Sequence, residues 1–138
     1  MMIGHSAFGC PKRALSEVYG YDSFRGVQLQ AIETVLKGED AFVLMATGGG
    51  KSLCYIIPPL VLGKTAIVVS PLVALMQDQV VALVDKGVKA TFLGSAQKDT
   101  SVWHRLSTYQ LIYITPEMSV SDRFRTALGE LNICVLGI

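Results

Sequence analysis

The 138-residue chain is 51% hydrophobic and 17% charged, with 12 Lys and Arg against 11 Asp and Glu. A charged fraction below the roughly 25% of ordinary soluble domains, with this much apolar content, excludes a disordered tail. The net charge of +1 excludes a strongly basic nucleic-acid-binding arm, while leaving room for a local basic face.

The length suits one hydrophobic core. In chain order, the pattern predicts helices over 13–19 and 27–36, with Gly20 and Gly38 at their C-caps. A strand follows at 41–45 (AFVLM), then a glycine-rich loop and a helix over 52–57 that should stop at Pro58 and Pro59. Thr65–Val69 reads as a second strand. Ser70 and Pro71 stand as N-cap and first-turn proline of a helix over 72–85, with Leu72, Leu75, Met76, Gln79, Val80 and Leu83 on one side. Ala90–Leu93, 111–115 and 133–138 are three more strands, with a helix over 122–131 before the last. The strands are near-continuous apolar runs, as parallel strands buried on both faces require. Their alternation with helices predicts an α/β domain with right-handed crossovers.

The longest apolar runs are short: 42–46 has five residues, and 53–62 is split by two prolines. Neither approaches the roughly 18 residues of a membrane span, and no apolar segment follows Lys12 and Arg13 to make a secretory signal. Cys10, Cys54 and Cys134 are odd in number and form no C-x-x-C. That fits an intracellular chain with reduced thiols, and neither a zinc site nor a disulfide framework. His5 and His104 read as surface, Met45 and Met76 as core, and Cys54 as packing. Trp103 suits packing at a helix end, with base stacking as the open alternative.

The chemistry-bearing segment is Ala46-Thr47-Gly48-Gly49-Gly50-Lys51-Ser52. It lies between a predicted strand and a predicted helix, the context a phosphate-binding loop requires. Glycines let backbone N–H groups turn toward an anion, and the helix N-terminus adds partial positive charge. Lys51 can reach the β and γ phosphates, and the Ser52 hydroxyl can ligate Mg²⁺. From Ala41 to Gln77 the only charged residues are Lys51 and Lys64, so phosphate binding also accounts for a lysine in an apolar stretch. Met45 stands where the full pattern G-x-x-x-x-G-K-[ST] has its first glycine, so the loop is a variant. A glycine-rich turn with a surface lysine is the alternative. No G-x-G-x-x-G can be written through these glycines, which excludes a dinucleotide fingerprint.

Residues 46–55 (ATGGGKSLCY) resemble motif I of the RecQ helicases. Upstream, 19–28 (YGYDSFRGVQ) resembles the segment that precedes motif I in that family. Downstream, 70–80 (SPLVALMQDQV) is similar to motif Ia and 113–117 (YITPE) to motif Ib. Leu93-Gly94-Ser95-Ala96-Gln97 resembles the Werner-type branch in particular. The resemblance runs from about Leu15 to Ile138. It implies a P-loop NTPase fold, the first RecA-like lobe of an ATP-dependent DNA helicase with 3′→5′ polarity, acting in DNA repair and recombination. It implies a nucleotide site of Tyr21, Arg25, Gln28, Met45, Ala46, Thr47, Gly48, Gly49, Gly50, Lys51 and Ser52. Tyr21 would stack on adenine while Arg25 and Gln28 hydrogen-bond near it; a glutamine amide matches the N6 and N7 edge of adenine. Lys51 would be catalytic, with ATP and Mg²⁺ as cofactors and Ser52 as the metal ligand. Ser70, Pro71, Gln77, Thr115 and Pro116 would contact single-stranded or forked DNA. Ser70 and Thr115 each precede a proline at a strand-to-helix turn, so helix capping is the other reading, and the two roles are compatible. For a eukaryotic member the resemblance implies the nucleus.

The family places an Asp-Glu-x-His box directly after the strand that 133–138 resembles, and the 138 residues stop before it. The expectation is therefore a partial ATP-binding lobe, residues 1–138, running through motif Ib and truncated at its C-terminus. Alone it should lack hydrolysis, since nothing positions the attacking water. The resemblance also implies a later strand inserted between 41–45 and 133–138; without it two apolar edges would be open and the piece poorly stable. The alternative function is a non-catalytic nucleotide- or DNA-binding fragment. A P-loop ATPase that does not act on nucleic acid is a third reading, disfavoured by Gln28 and the two strand-end motifs.

Overall fold

The computed structural model describes residues 10–38, 52–131 and 133–137. The predicted strand 41–45, loop residues Met45 to Lys51 and His5 lie outside the described residues. Helices α1 (Pro11–Tyr19), α2 (Gln28–Leu36) and α3 (Leu53–Leu62) precede strand β1 (Thr65–Val69). Helix α4 (Val73–Asp85) leads to β2 (Ala90–Leu93), and a 3-10 helix (Thr100–Thr108) leads to β3 (Leu111–Ile114). Two short helices, α5 (Pro116–Ser119) and α6 (Asp122–Leu128), come before β4 (Ile133–Gly137).

The four strands form one sheet in the order β2-β3-β1-β4. Every pairing is parallel, with Ala66 opposite Leu111, Ala90 opposite Leu111 and Ile67 opposite Leu136. The α/β class with a parallel sheet is the one the sequence predicted. So is burial on both faces. Ala66, Val68, Ala90, Leu111 and Tyr113 join one core cluster with α1 to α4, including Ile32, Ile57, Leu60, Met76 and Leu83. Ile67, Leu93, Ile112 and Ile114 join the other with Val102, Leu106 and Phe124. The strict alternation is the period-two geometry of a strand.

Several details depart from expectation. Helix α3 runs through Pro58 and Pro59 instead of ending before them. An interior proline costs about 3 kcal/mol, but Leu53, Ile56, Ile57, Pro58, Pro59, Leu60 and Val61 are all buried, and that apolar burial offsets the lost backbone bonds. The helix then ends at Gly63, whose φ of 68° is left-handed. Helix α4 starts at Val73, not Leu72, with Leu72 as N-cap. Ser70 instead closes a local turn, its Oγ accepting the Leu72 N–H at 3.3 Å. Of the predicted stripe, Met76 and Leu83 are buried and Val80 packs at the core edge, while Leu72 and Leu75 are exposed. The 3-10 helix and α5 were not predicted. Helix α6 ends at Leu128, three residues before its predicted end.

Two smaller expectations agree with the structure. Gly20 does cap α1, at φ 73° with its N–H donating to the Ser16 carbonyl. His104 is exposed.

Candidate nucleotide and nucleic-acid sites

The loop between α1 and α2 brings the upstream motif to the start of α3. Tyr19, Tyr21, Asp22, Arg25, Gln28 and Ser52 line one cavity of about 630 Å³. Residues 24 or more apart in sequence thus meet at the start of α3, whose N-cap Ser52 follows Lys51 in the chain. Gln28 opens α2 and is 1% exposed. Its Oε1 accepts the Arg25 backbone N–H at 2.7 Å, which folds the 25–28 turn back on itself. Tyr21 is 54% exposed and stacks on Tyr19, with ring centroids 5.9 Å apart and planes 21° from parallel. One Tyr21 face is therefore braced and the side chain remains accessible. Ser52 sits at the N-cap of α3 in helical geometry and makes no side-chain capping bond, so its hydroxyl is not committed to the helix.

Helix α4 reaches this region twice. Gln79 Oε1 accepts the Tyr55 hydroxyl proton at 3.2 Å, joining α4 to the first turn of α3. The Lys86 ammonium lies 5.1 Å from the Tyr19 ring centroid, on the ring that carries Tyr21.

Burial, with the neighbouring Tyr55 and Tyr21, pushes the Tyr19 phenol up to about 12, and burial pushes the Cys134 thiol up to about 11 against the opposing pull of Lys64. Both groups stay protonated in the folded chain to higher pH than in the unfolded one. The stability tied to Cys134 is thus present below 9.0 and lost by about 11; that tied to Tyr19 is present below 10.0 and lost by about 12. Urea midpoints are expected to fall across this alkaline window, and Tyr19→Phe should flatten the upper part of the fall.

The second site lies at the C-terminal ends of β1, β2 and β3, where open parallel sheets place ligands. Pro71, Gly94, Gln97, Trp103, Thr115 and Arg123 are among the residues lining a groove of about 780 Å³. Thr115 caps α5, its Oγ1 accepting the Met118 N–H at 3.3 Å. A Cβ on Gly94 would meet Thr115 Cγ2 at 3.2 Å, so a side chain there would press on Thr115 by a few tenths of an ångström. Gln97 is pinned by donating Nε2 to the Phe92 carbonyl at 2.8 Å. Ser70 opens instead on a smaller cavity of about 210 Å³ with Pro71, Tyr55, Gln79 and Tyr113. Gln77 and Pro116 are exposed but line neither cavity. The rim groups a β1-end proline with Thr115; it does not gather all five expected DNA residues. Arg123 and Trp103 are groove residues to which the motifs assigned no role. Among the described residues no cluster of His, Cys, Asp or Glu could hold a metal ion, and no helix is long and apolar enough to cross a membrane.

Residues 25–136 match the DEAD/DEAH box helicase family. The chain belongs to that family. Within it the likeness is to RecQ-type proteins. The chain is 41% identical over 129 residues to the ATP-dependent DNA helicase RecQ of Haemophilus influenzae, covering 90% of this chain and 21% of the relative. It is 44% identical to the ATP-dependent helicase SGS1 of Saccharomyces cerevisiae, covering 85% of this chain and 9% of the relative. It is 48% identical over 105 residues to the bifunctional 3′-5′ exonuclease/ATP-dependent helicase WRN of Mus musculus, covering 75% of this chain and 8% of the relative. The chain thus spans about a fifth or less of the length of these relatives. The fold is shared with the DUF1998 helicase MrfA in its crystal structure bound to DNA, at a TM-score of 0.71 and 24% identity over 96% of this chain and 21% of that one. A helicase-family RecA-like lobe is the fold that the RecQ resemblance implied, and the parallel α/β sheet agrees with it.

Proposed function

We propose that this chain is the first part of the first motor lobe of a RecQ-type helicase, and that the whole protein uses ATP to unwind DNA with 3′→5′ polarity. The supporting observation is the cavity that joins Tyr21, Arg25 and Gln28 to Ser52. An adenine-reading segment and the end of a phosphate loop must converge if one nucleotide is to occupy both. Tyr21 stacks on the adenine, braced from behind by Tyr19. Gln28 holds the turn that presents Arg25. The segment from Met45 to Lys51 binds the phosphates, and Lys51 neutralises the β and γ oxygens. The uncommitted hydroxyl of Ser52 suits a Mg²⁺ ligand, and the ion would supply charge neutralisation at the transferring phosphate. Thr115 and Pro71 border the path of single-stranded DNA, with Ser70, Gln77 and Pro116 on its margins. In a eukaryotic cell the protein acts in the nucleus, in repair and recombination.

Competition between ATP and a fluorescent adenine nucleotide tests the reading. Tyr21→Ala is expected to weaken ATP binding about tenfold, within the range of one base–aromatic stack, and to erase preference for ATP over pyrimidine triphosphates. Equal affinity of the wild-type chain for all four triphosphates would remove the adenine assignment.

A further inference from the structure

The groove at the strand ends contains a pair that lies outside every helicase motif of the sequence. Arg123, in the first turn of α6, sets its guanidinium carbon 4.1 Å from the centroid of the Trp103 ring. Trp103 is itself seated: the 3-10 helix holds it half-buried against the second core cluster, beside Val102 and Leu106. Arg123 is exposed and forms no ion pair among the described residues. Glu117 lines the same groove and Asp122 is its chain neighbour, yet neither pairs with it. Two of the other arginines are satisfied differently. Arg105 bonds Asp99 at 3.4 Å and the Tyr109 hydroxyl at 3.0 Å, and Arg13 pairs with Glu17 at 3.6 Å.

An arginine stacked on an indole has lost much of its rotamer freedom without spending its hydrogen-bond donors. Docking such a group on a phosphate costs less ordering entropy than docking a free side chain. The groove is also lined by Pro71, Gly94 and Thr115, which are neutral and polar or small. Together these features suit a strand whose phosphates need one fixed cation and several uncharged contacts.

Resting on the reading of this rim as the DNA path, we propose that Arg123 contacts a backbone phosphate of single-stranded DNA. Trp103 is its positioning residue, holding the guanidinium plane over the groove. The contact adds to affinity without reading sequence, because a phosphate is the same at every base.

The test is fluorescence anisotropy of a labelled oligo-dT with the 138-residue chain over a series of salt concentrations. Arg123→Ala is expected to weaken binding several-fold at low salt and to lower the slope of log K against log salt by about 0.7, the share of one phosphate contact on a single strand. Arg123→Lys should keep most of that slope while losing part of the affinity, since an ammonium does not stack flat on the indole. Trp103→Leu should behave likewise, weakening binding with the slope retained. Trp103 is the one tryptophan of the chain, so its emission reports on the pair directly: it should change on adding oligo-dT, and change less in Arg123→Ala. ATP-competition affinity should be unaltered in all three variants, which separates a lost contact from a lost fold. An unchanged salt slope in Arg123→Ala, or wild-type emission indifferent to bound oligo-dT, overturns the assignment. A wild-type chain that binds ATP but no oligo-dT removes the DNA path itself, a different failure.

Discussion

Alanine in place of Lys51 is expected to cut DNA-stimulated ATP turnover of the whole helicase by at least about 100-fold, the scale seen when one charge-stabilising donor is removed from a reacting centre. The argument is electrostatic. From Ala41 to Gln77 the chain carries no charge but Lys51 and Lys64, and Lys64 follows the far end of α3, so nothing else in that stretch can neutralise a triphosphate beside the start of that helix. Backbone amides and the α3 N-terminus supply partial charges, which suffice to bind phosphate but not to match the charge that develops on the leaving group. Ground-state ATP affinity should therefore fall less than turnover. Phosphate release with and without single-stranded DNA, set beside ATP competition, separates the two. Undiminished stimulated turnover in Lys51→Ala would reject the role given to this residue.

What the sequence revealed, and what it hid, follows from the range of the interactions. Strands Thr65–Val69 and Ala90–Leu93 were legible to the residue because a strand buried on both faces must be an unbroken apolar run. The cavity joining Tyr21, Arg25 and Gln28 to Ser52 was implied by the family motifs, whose order and spacing carry long-range information that periodicity does not. The end of α3 was misread because Pro58 and Pro59 break helices locally, whereas here burial of the whole segment outweighs the local cost. The start of α4 was misread because Ser-Pro fits a helix cap and a turn equally well, and the Ser70 N–H is already held by the Ile114 carbonyl at 2.9 Å, which keeps the chain extended past the strand end. The Trp103–Arg123 pair had no signal at all: its members lie on separate elements and meet only through the packing of the 3-10 helix and α6 on one sheet face.

That sheet has two faces with opposite sensitivities, and a pair of substitutions should expose the difference. Ile67 is fully buried on β1, an interior strand, against Leu93, Ile112, Ile114 and the 3-10 helix. Ile67→Ala removes three carbons from a packed site and is expected to cost about 3 kcal/mol, or on the order of 10 °C in Tm. Tyr113, on the neighbouring strand and the other face, is 1% exposed. Its ring meets Tyr55 edge-on at 6.3 Å, and its hydroxyl has no partner in hydrogen-bonding geometry among the described residues. Burial, with Tyr55 beside it, drives that phenol well above its ordinary pKa. Tyr113→Phe keeps the ring and its packing and deletes only a buried polar atom left unsatisfied, a group that costs about 1–3 kcal/mol where it stands. The expected result is an unchanged or higher Tm. Thermal melts of the two variants beside the parent chain decide both points. A Tm drop in Tyr113→Phe as large as that in Ile67→Ala would mean that the hydroxyl is bonded in solution, and that the Tyr55–Gln79 bridge between α3 and α4 extends through it.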